Sequence, residues 1–214
     1  MEEGKRWITW KNRRILVNDN GNIINNSYKK YQNNNEILKD FYDYYEKVFN
    51  NMDSETKEAF KKYAYTDFAD MNKLNLGINI DNNATKSYQE KLKNYMNKMD
   101  KEINKHTFKE NITLYRGTNY DYFKNYKVGD EIEISTYLST SLNEKIANEF
   151  KQKGRNSNNP IMVEIQCPKG SNGIYMGDYV QSYNEQEVIL PRNQKYKYIS
   201  KENNKIILRI INKR

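Results

Sequence analysis

Cysteine and histidine are almost absent from the sequence, which has one of each, Cys167 and His106. A single cysteine excludes an intramolecular disulfide and a cysteine-based metal cluster, and a single histidine removes most metal sites and histidine-dependent triads. Glycine-rich phosphate loops are also missing, since neither a Walker pattern nor GxGxxG occurs. Any nucleotide would therefore have to be held by side chains and strand ends, and we expect no metal.

Long apolar runs are missing as well. Hydrophobic residues make up only 36% of the chain, no stretch approaches the length of a membrane span, and the start, MEEGKRWITW, lacks the apolar segment of a signal peptide. We expect a soluble protein with no membrane partner. The 214 residues fit one domain with, at most, a small appendage, and the 19 tyrosines are typical of a folded chain rather than a disordered one.

The charge is balanced more evenly than the net value suggests. The formal net charge is +8, but the lysines are scattered among Glu, Asp and Asn with few long runs of one sign. This pattern favours a solvated surface, so we expect no specific nucleic-acid partner.

Apolar periodicity changes twice along the chain. Residues 6–25, RWITWKNRRILVNDNGNIIN, alternate apolar and polar positions around two turns, which predicts two short hairpins and a small β appendage over residues 1–30. Residues 35–109 carry apolar positions at helical spacing. From residue 111 onward short strand-like runs dominate, interrupted by one helix, NEKIANEF. Helices followed by strands predict an α+β fold for the main domain, residues 31–214.

Three predicted strands have polar ends. NITLYRG ends near Arg116, YLSTS ends with residues 139–141, and EQEVILP begins with Glu185 and Glu187. Side chains two apart in a strand point to one face, so the two carboxylates are predicted to meet in one small volume. A guanidinium suits phosphate recognition, and carboxylates suit stabilising positive charge where a glycosidic bond breaks.

These three motifs, in this order, resemble the arginine, serine-threonine-serine and Glu-x-Glu motifs of the mono-ADP-ribosyltransferase family, in particular bacterial exotoxins that modify actin. The resemblance covers about residues 37–211. It implies helices packed against a two-sheet β core whose cleft holds NAD, which serves as a substrate without any metal. The appendage lies outside it, although RWITWKNRRILVNDNGNIIN is similar to leader segments of phage-encoded members.

Two further matches lie outside the three strands. In KKYAYTDFADMN, the spacing of Tyr63, Phe68 and Asn72 resembles a family helix that borders the NAD pocket. Phe150 follows the serine motif at the interval of a phenylalanine that packs on nicotinamide. Aromatics at helical spacing are more often core than ligand contacts, and we expect Phe150 to be a core residue with one face left for nicotinamide.

The sequence departs from the family pattern at three places. Phe68 stands where tyrosine is usual, and Lys153 stands where the following loop normally offers arginine, so that a phosphate contact passes to Arg155 or is weaker. Tyr183, the aromatic of the target-recognition loop, is one residue closer to the first glutamate than in clostridial-type toxins.

The resemblance also implies a role for each motif residue. Glu187 would bind the nicotinamide ribose and stabilise developing positive charge, held in place by Ser139, while Arg116 would clamp the pyrophosphate. Glu185 would orient or deprotonate the acceptor, and Tyr183 would contact the target. The implied cofactor-binding set is Arg116, Gly117, Tyr63, Phe68, Asn72, Ser139, Thr140, Phe150, Lys153, Arg155 and Glu187.

A glutamate at position 185 goes with arginine acceptors in this family, so we expect arginine-directed transfer, with actin as the first candidate target. We expect a monomer that acts as a secreted or delivered effector in a target cell, or as a phage-encoded intracellular protein. Two alternatives stay open. One is an NAD glycohydrolase in which water replaces the acceptor, and the other is a non-enzymatic nucleic-acid-binding module suggested by the +8 charge and the tyrosines.

Overall fold

The computed structural model describes residues 5–10, 13–18, 27–80, 84–153, 159–177 and 185–212. The first two described strands, β1 (Lys5–Trp10) and β2 (Arg13–Asn18), pair antiparallel. The turn of the second predicted hairpin falls in residues 19–26, outside the described ranges. The division into an appendage and a main domain at about residue 30 stays a prediction.

The described residues contain five α-helices. They are α1 (Asn34–Asn51), α2 (Ser54–Lys62), α3 (Phe68–Asn75), α4 (Lys86–Ile103) and α5 (Glu144–Lys153), with a π-helical segment, Tyr63–Asp67, joining α2 to α3. Within the ranges given above, no helix combines the length and the apolar character that a bilayer crossing requires.

Side-chain caps fix where three of these helices begin. The side chains of Asn33, Asp53 and Thr85 accept hydrogen bonds from backbone amides three residues further on, which satisfies one unpaired donor of each first turn. At the start of α2, the Asp53 carboxylate also accepts from the Thr56 hydroxyl at 2.6 Å.

The second half of the chain forms one eight-stranded sheet with the order β4-β9-β10-β6-β3-β5-β8-β7. Its strands are β3 (Ile112–Asn119), β4 (Glu131–Ile134), β5 (Leu138–Ser141), β6 (Pro160–Cys167), β7 (Ile174–Tyr175), β8 (Glu187–Leu190), β9 (Gln194–Glu202) and β10 (Lys205–Ile210). Among these eight strands, only β6 and β10 pair in parallel. The α+β class is thereby confirmed.

The two expected sheets are the two halves of this single sheet. Strands β3 and β5 are paired at one position, Tyr115 opposite Ser141, whereas β3 pairs with β6 along its whole length. Residues 131–141 are divided between the halves, because β4 pairs with β9 in one half and β5 pairs with β8 in the other. The chain crosses between the halves at residues 135–137, where Tyr137 donates a hydrogen bond to the Asp100 carboxylate of α4 at 2.6 Å.

Two apolar cores hold the helices to the sheet. One contains residues of both halves of the sheet, among them Leu114 and Leu208 of one half and Val188 and Leu190 of the other. The other packs the α2–α4 region against β7 and β8, through residues such as Phe60, Met99 and Ile189, all of them fully buried. Each such side chain contributes about 1.5–3 kcal/mol when buried, so the helix layer is firmly fixed against β7 and β8.

Candidate active site

The sheet order places the polar ends of β3, β5 and β8 side by side. Strand β5 lies between the other two, with Ser141 opposite Glu187 on β8. The Arg116 guanidinium on β3 crosses to β5, where Nη1 donates to the carbonyl oxygen of Ser139 at 2.6 Å. Arg116, Ser139 and Glu187, which are far apart in sequence, therefore share one site.

Glu187 is the buried acid of this site, with only 8% of its surface exposed. Burial, assisted by the nearby charge of Glu185, raises its pKa from 4.5 to about 7, although the Ser139 hydroxyl and the Arg116 charge act in the opposite direction. The Ser139 hydroxyl lies within hydrogen-bonding reach of the carboxylate. The acid therefore changes charge close to neutral pH.

The two glutamates are not arranged as the period-two pattern predicts. Strand β8 begins at Glu187, and Glu185 lies in a bend before it. Between them Gln186 has a φ of 47°, in the left-handed region, so the alternation of a strand does not apply. The charge of Glu185 nevertheless raises the pKa of Glu187. The two carboxylates are therefore near each other, although not through the alternation of a strand.

The serine-threonine-serine motif divides its hydroxyls among three tasks. Ser139 faces Glu187, as described above. Thr140 points to the other side of β5, where its buried hydroxyl donates to the Val188 carbonyl at 2.7 Å, so this geometry does not favour the predicted cofactor contact. Ser141, which the sequence reasoning did not single out, donates to the carbonyl oxygen of Glu185 at 2.6 Å and so holds the bend before β8.

Tyr63 brings the helix layer to the site. It is buried at 2% exposure, its pKa is raised by burial, and its hydroxyl lies within hydrogen-bonding reach of Ser139 and Asn72. In a regular helix nine residues turn through about 900°, which would put Tyr63 and Asn72 on opposite sides. The π-helical segment and the non-helical backbone of Asp67, with φ −107° and ψ 2°, change the angle between the two side chains. Tyr63 and Asn72 therefore both face the site.

The two phenylalanines of the predicted set are exposed. Phe68 is 51% exposed and Phe150 is 47% exposed, so the expectation that Phe150 is a core residue is wrong. Its helix, α5, packs on β3 through the buried Ala147 instead. Of the two aromatic residues predicted from KKYAYTDFADMN, Tyr63 lies in the core and Phe68 does not.

Gly117 is required by packing. A Cβ there would lie 2.3 Å from both the carbonyl oxygen of Ala147 and the backbone nitrogen of Lys151, so only glycine permits α5 to lie this close to β3. Lys153 is the last residue of α5. Arg155 and Tyr183 lie outside the described residues.

A polar network around Asp100 contacts the site through Tyr63. Arg192, just after β8, donates through Nε to both carboxylate oxygens of Asp100, at 3.0 and 3.1 Å, and through Nη1 to Asn75 at 2.5 Å. Tyr137 joins the same Asp100, and its ring packs edge-on against Tyr63 with 5.3 Å between centroids. Sequence reasoning missed these residues because the pairing of Arg192 with Asp100 joins positions far apart in the chain.

The available donors and acceptors suit NAD. Arg116 forms no ion pair with any carboxylate in the described ranges, so its fork of N–H groups suits a pyrophosphate. The Oδ1 atom of Asn72 is buried without a hydrogen-bond partner, as expected where a ligand completes the bonding. The part of the chain given above contains no group of three or more residues able to hold a metal ion.

Comparison with known proteins is consistent with this geometry. A family model described as ADP-ribosyltransferase exoenzyme matches residues 42–213. The NAD(+)--arginine ADP-ribosyltransferase EFV of Enterococcus faecalis is 30% identical over 199 residues, which are 92% of this chain and 38% of that protein. The chain thus spans well under half the length of this curated relative.

Solved structures show the same fold at lower identity. BECa is an ADP-ribosylating toxin of a binary enterotoxin of C. perfringens, solved with NADH. It matches this chain with a TM-score of 0.70 at 19% identity, over 97% of this chain and 55% of the BECa chain. C3stau2 of S. aureus, solved with NAD, matches this chain with a TM-score of 0.66 at 20% identity, over 87% of this chain and 100% of the C3stau2 chain.

Proposed function

Because the chain belongs to the ADP-ribosyltransferase exoenzyme family, we propose that it transfers ADP-ribose from NAD to an arginine of a target protein and releases nicotinamide. The observation that carries this proposal is the buried Glu187 carboxylate, on which both the Ser139 hydroxyl and the Arg116 charge act. A carboxylate that is buried and only just ionised at neutral pH is unfavourable for folding, and such groups are characteristic of active sites.

NAD supplies the ADP-ribosyl group, whose bond to the nicotinamide nitrogen breaks as that ring leaves with the bonding electrons. Arg116 holds the pyrophosphate by charge and by its planar fork. Glu187 accepts a hydrogen bond from the nicotinamide ribose and stabilises the positive charge that develops there. Ser139 carries a single hydroxyl proton, so it can donate to Glu187 while its oxygen accepts from Tyr63.

Glu185 acts on the acceptor. The arginine side chain is protonated in water, so it must lose a proton as one of its nitrogens bonds to the ribose carbon. Glu185 is partly exposed at the edge of the site, where its carboxylate can take that proton. Two like charges therefore lie together because one serves the bond that breaks and the other serves the nucleophile.

The target and setting follow from the same reasoning. A glutamate at position 185 supports an arginine acceptor, and the name of the E. faecalis relative agrees with it. Actin is the first target to test. A monomeric effector delivered into a target cell, or an intracellular phage-encoded enzyme, is consistent with the family. Phe68 and Phe150 present exposed rings for contacts with the bound substrate, and Lys153, Arg155 and Tyr183 remain candidates for phosphate and target contacts.

Incubation with labelled NAD and a cell lysate tests this function. We expect a labelled protein band with the wild-type chain and none with Glu187→Gln, and mass spectrometry should locate the label on an arginine. Nicotinamide release without a labelled band would instead establish an NAD glycohydrolase. Strongly salt-dependent binding to nucleic acid, with no thermal shift on adding NAD, would establish the binding module.

A further inference from the structure

Gln186, between the two site glutamates, has a backbone conformation that L residues rarely adopt. Its φ is 47°, and its side chain is 6% exposed, so a residue with an unfavourable backbone also buries a polar amide. Both features are unfavourable unless specific contacts hold them in place. The surrounding structure should therefore contain those contacts.

Two hydrogen bonds hold Gln186. The hydroxyl of Tyr175 on β7 donates to Gln186 Oε1 at 2.6 Å, and both side chains are buried. The backbone amide of Leu142 donates to the Gln186 carbonyl at 3.0 Å. Because Tyr175 is also paired with Val188 of β8, its hydroxyl is held at a fixed position relative to the start of that strand.

The two glutamates depend on Gln186 to different degrees. Glu187 is fixed within β8 by its pairing with Ser141 on one side and by the Met176 amide, which donates to its carbonyl at 2.9 Å, on the other. Glu185 lies before the strand, where the Ser141 hydroxyl holds its carbonyl, and its direction follows the unusual backbone of Gln186. A relaxation of Gln186 would therefore move Glu185 more than Glu187.

We propose that the hydrogen bond from Tyr175 to Gln186 positions Glu185 and thereby determines whether ADP-ribose passes to an arginine or to water. The inference rests on the proposed function, because it gives Glu185 the acceptor and Glu187 the breaking bond. Tyr175 and Gln186 act as positioning residues, and neither needs to touch NAD or the acceptor. Sequence reasoning treated position 186 only as the spacer of Glu-x-Glu.

The variant Tyr175→Phe tests the inference, because it removes the hydroxyl and keeps the buried ring. Transfer to a small guanidino acceptor, agmatine, should fall on the order of tenfold or more, since small displacements of a catalytic group lower rates strongly. Nicotinamide release without acceptor and KM for NAD should stay within about twofold of wild type. Tyr198→Phe, which removes another largely buried tyrosine hydroxyl on β9, is the matched control and should change neither rate.

A second readout separates positioning from simple loss of structure. The charge of Glu185 raises the pKa of Glu187, so displacing Glu185 should move the acid limb of nicotinamide release to lower pH. The variant Gln186→Leu, which is similar in size and lacks the acceptor oxygen, should give the same ratio of transfer to hydrolysis. It replaces Tyr175→Phe in the assay if the latter does not fold.

Glu185→Gln measured alongside distinguishes the two levels of the argument. If Glu185→Gln transfers at the wild-type rate, the proposed function of Glu185 fails, and this inference fails with it. If Glu185→Gln loses transfer but Tyr175→Phe and Gln186→Leu transfer normally, the proposed function stands and the positioning role is overturned. Equal loss of transfer and hydrolysis in both variants would also overturn it. Selective loss of transfer supports it.

Discussion

Replacing Glu187 by glutamine should make the folded chain more stable at neutral pH while it abolishes activity. The folded protein holds this carboxyl in a buried place that raises its pKa from 4.5 to about 7. Glutamine has the same shape, keeps an oxygen that can accept from Ser139, and is never charged. The variant therefore removes the unfavourable burial of a charge and little else.

The sign and size follow from linkage. Between pH 4.5 and about 7 the folded state binds the proton more tightly than the unfolded state, so this group's contribution to stability decreases as pH rises through that window. A pKa raised from 4.5 to about 7 corresponds to about 3 kcal/mol. Glu187→Gln should thus match wild type below pH 4.5 and exceed it by that order of magnitude above pH 7.

Urea unfolding of both proteins across this pH range is the assay, and the difference between their unfolding free energies is the quantity to plot, because the shifts of groups that do not interact with Glu187 cancel. Glu185→Gln is the control, since its partly exposed carboxylate should give a smaller difference. The reasoning is refuted if Glu187→Gln is less stable than wild type at every pH, or if the difference does not change with pH.

The remaining predictions concern activity and packing. Glu187→Asp should abolish both nicotinamide release and transfer, whereas Glu185→Gln should lose arginine transfer while hydrolysis persists; undiminished transfer in both would contradict the assignment. In Glu185→Gln the loss of a neighbouring charge lowers the pKa of Glu187, so the acid limb of kcat/KM for hydrolysis should move to lower pH. Arg116→Lys keeps the charge but loses the fork, and should raise KM for NAD by about tenfold; an unchanged KM would exclude the pyrophosphate contact. Gly117→Ala should lower the unfolding free energy by about 1–3 kcal/mol in urea titrations, because its Cβ would meet the backbone of α5; an unchanged value would show that α5 can move away.

Much of the fold could be predicted from the spacing of apolar residues and from the order of the helices and strands along the chain. Helical spacing before residue 110 and short strands after it identify the α+β class, because each element must bury one apolar face. The single sheet could not be predicted, since strand order depends on pairing between distant residues. The two halves of the sheet are joined by the pairing of Tyr115 with Ser141. Nothing in the sequence around either residue indicates this pairing.

The site shows the same division. The residue types of Arg116, Ser139 and Glu187 indicate the chemistry, and their convergence follows from three strand ends meeting. The alternation of side chains expected for a strand fails at Gln186, because its left-handed backbone turns the chain before β8. A glutamine in the sequence gives no sign of a left-handed conformation, which is typical of glycine. The exposure of Phe150 was also unpredictable, since α5 meets β3 through Ala147 and Gly117 instead.

The most direct test of the site is the rate of nicotinamide release from NAD, without any acceptor, by wild type and Glu187→Gln. We expect wild-type release to increase with pH up to about the Glu187 pKa of 7. The glutamine variant should be slower by about 10²-fold or more at every pH above it. Equal rates for the two proteins, or release that does not depend on pH in this range, would contradict the assignment of Glu187 as the residue that stabilises the breaking bond.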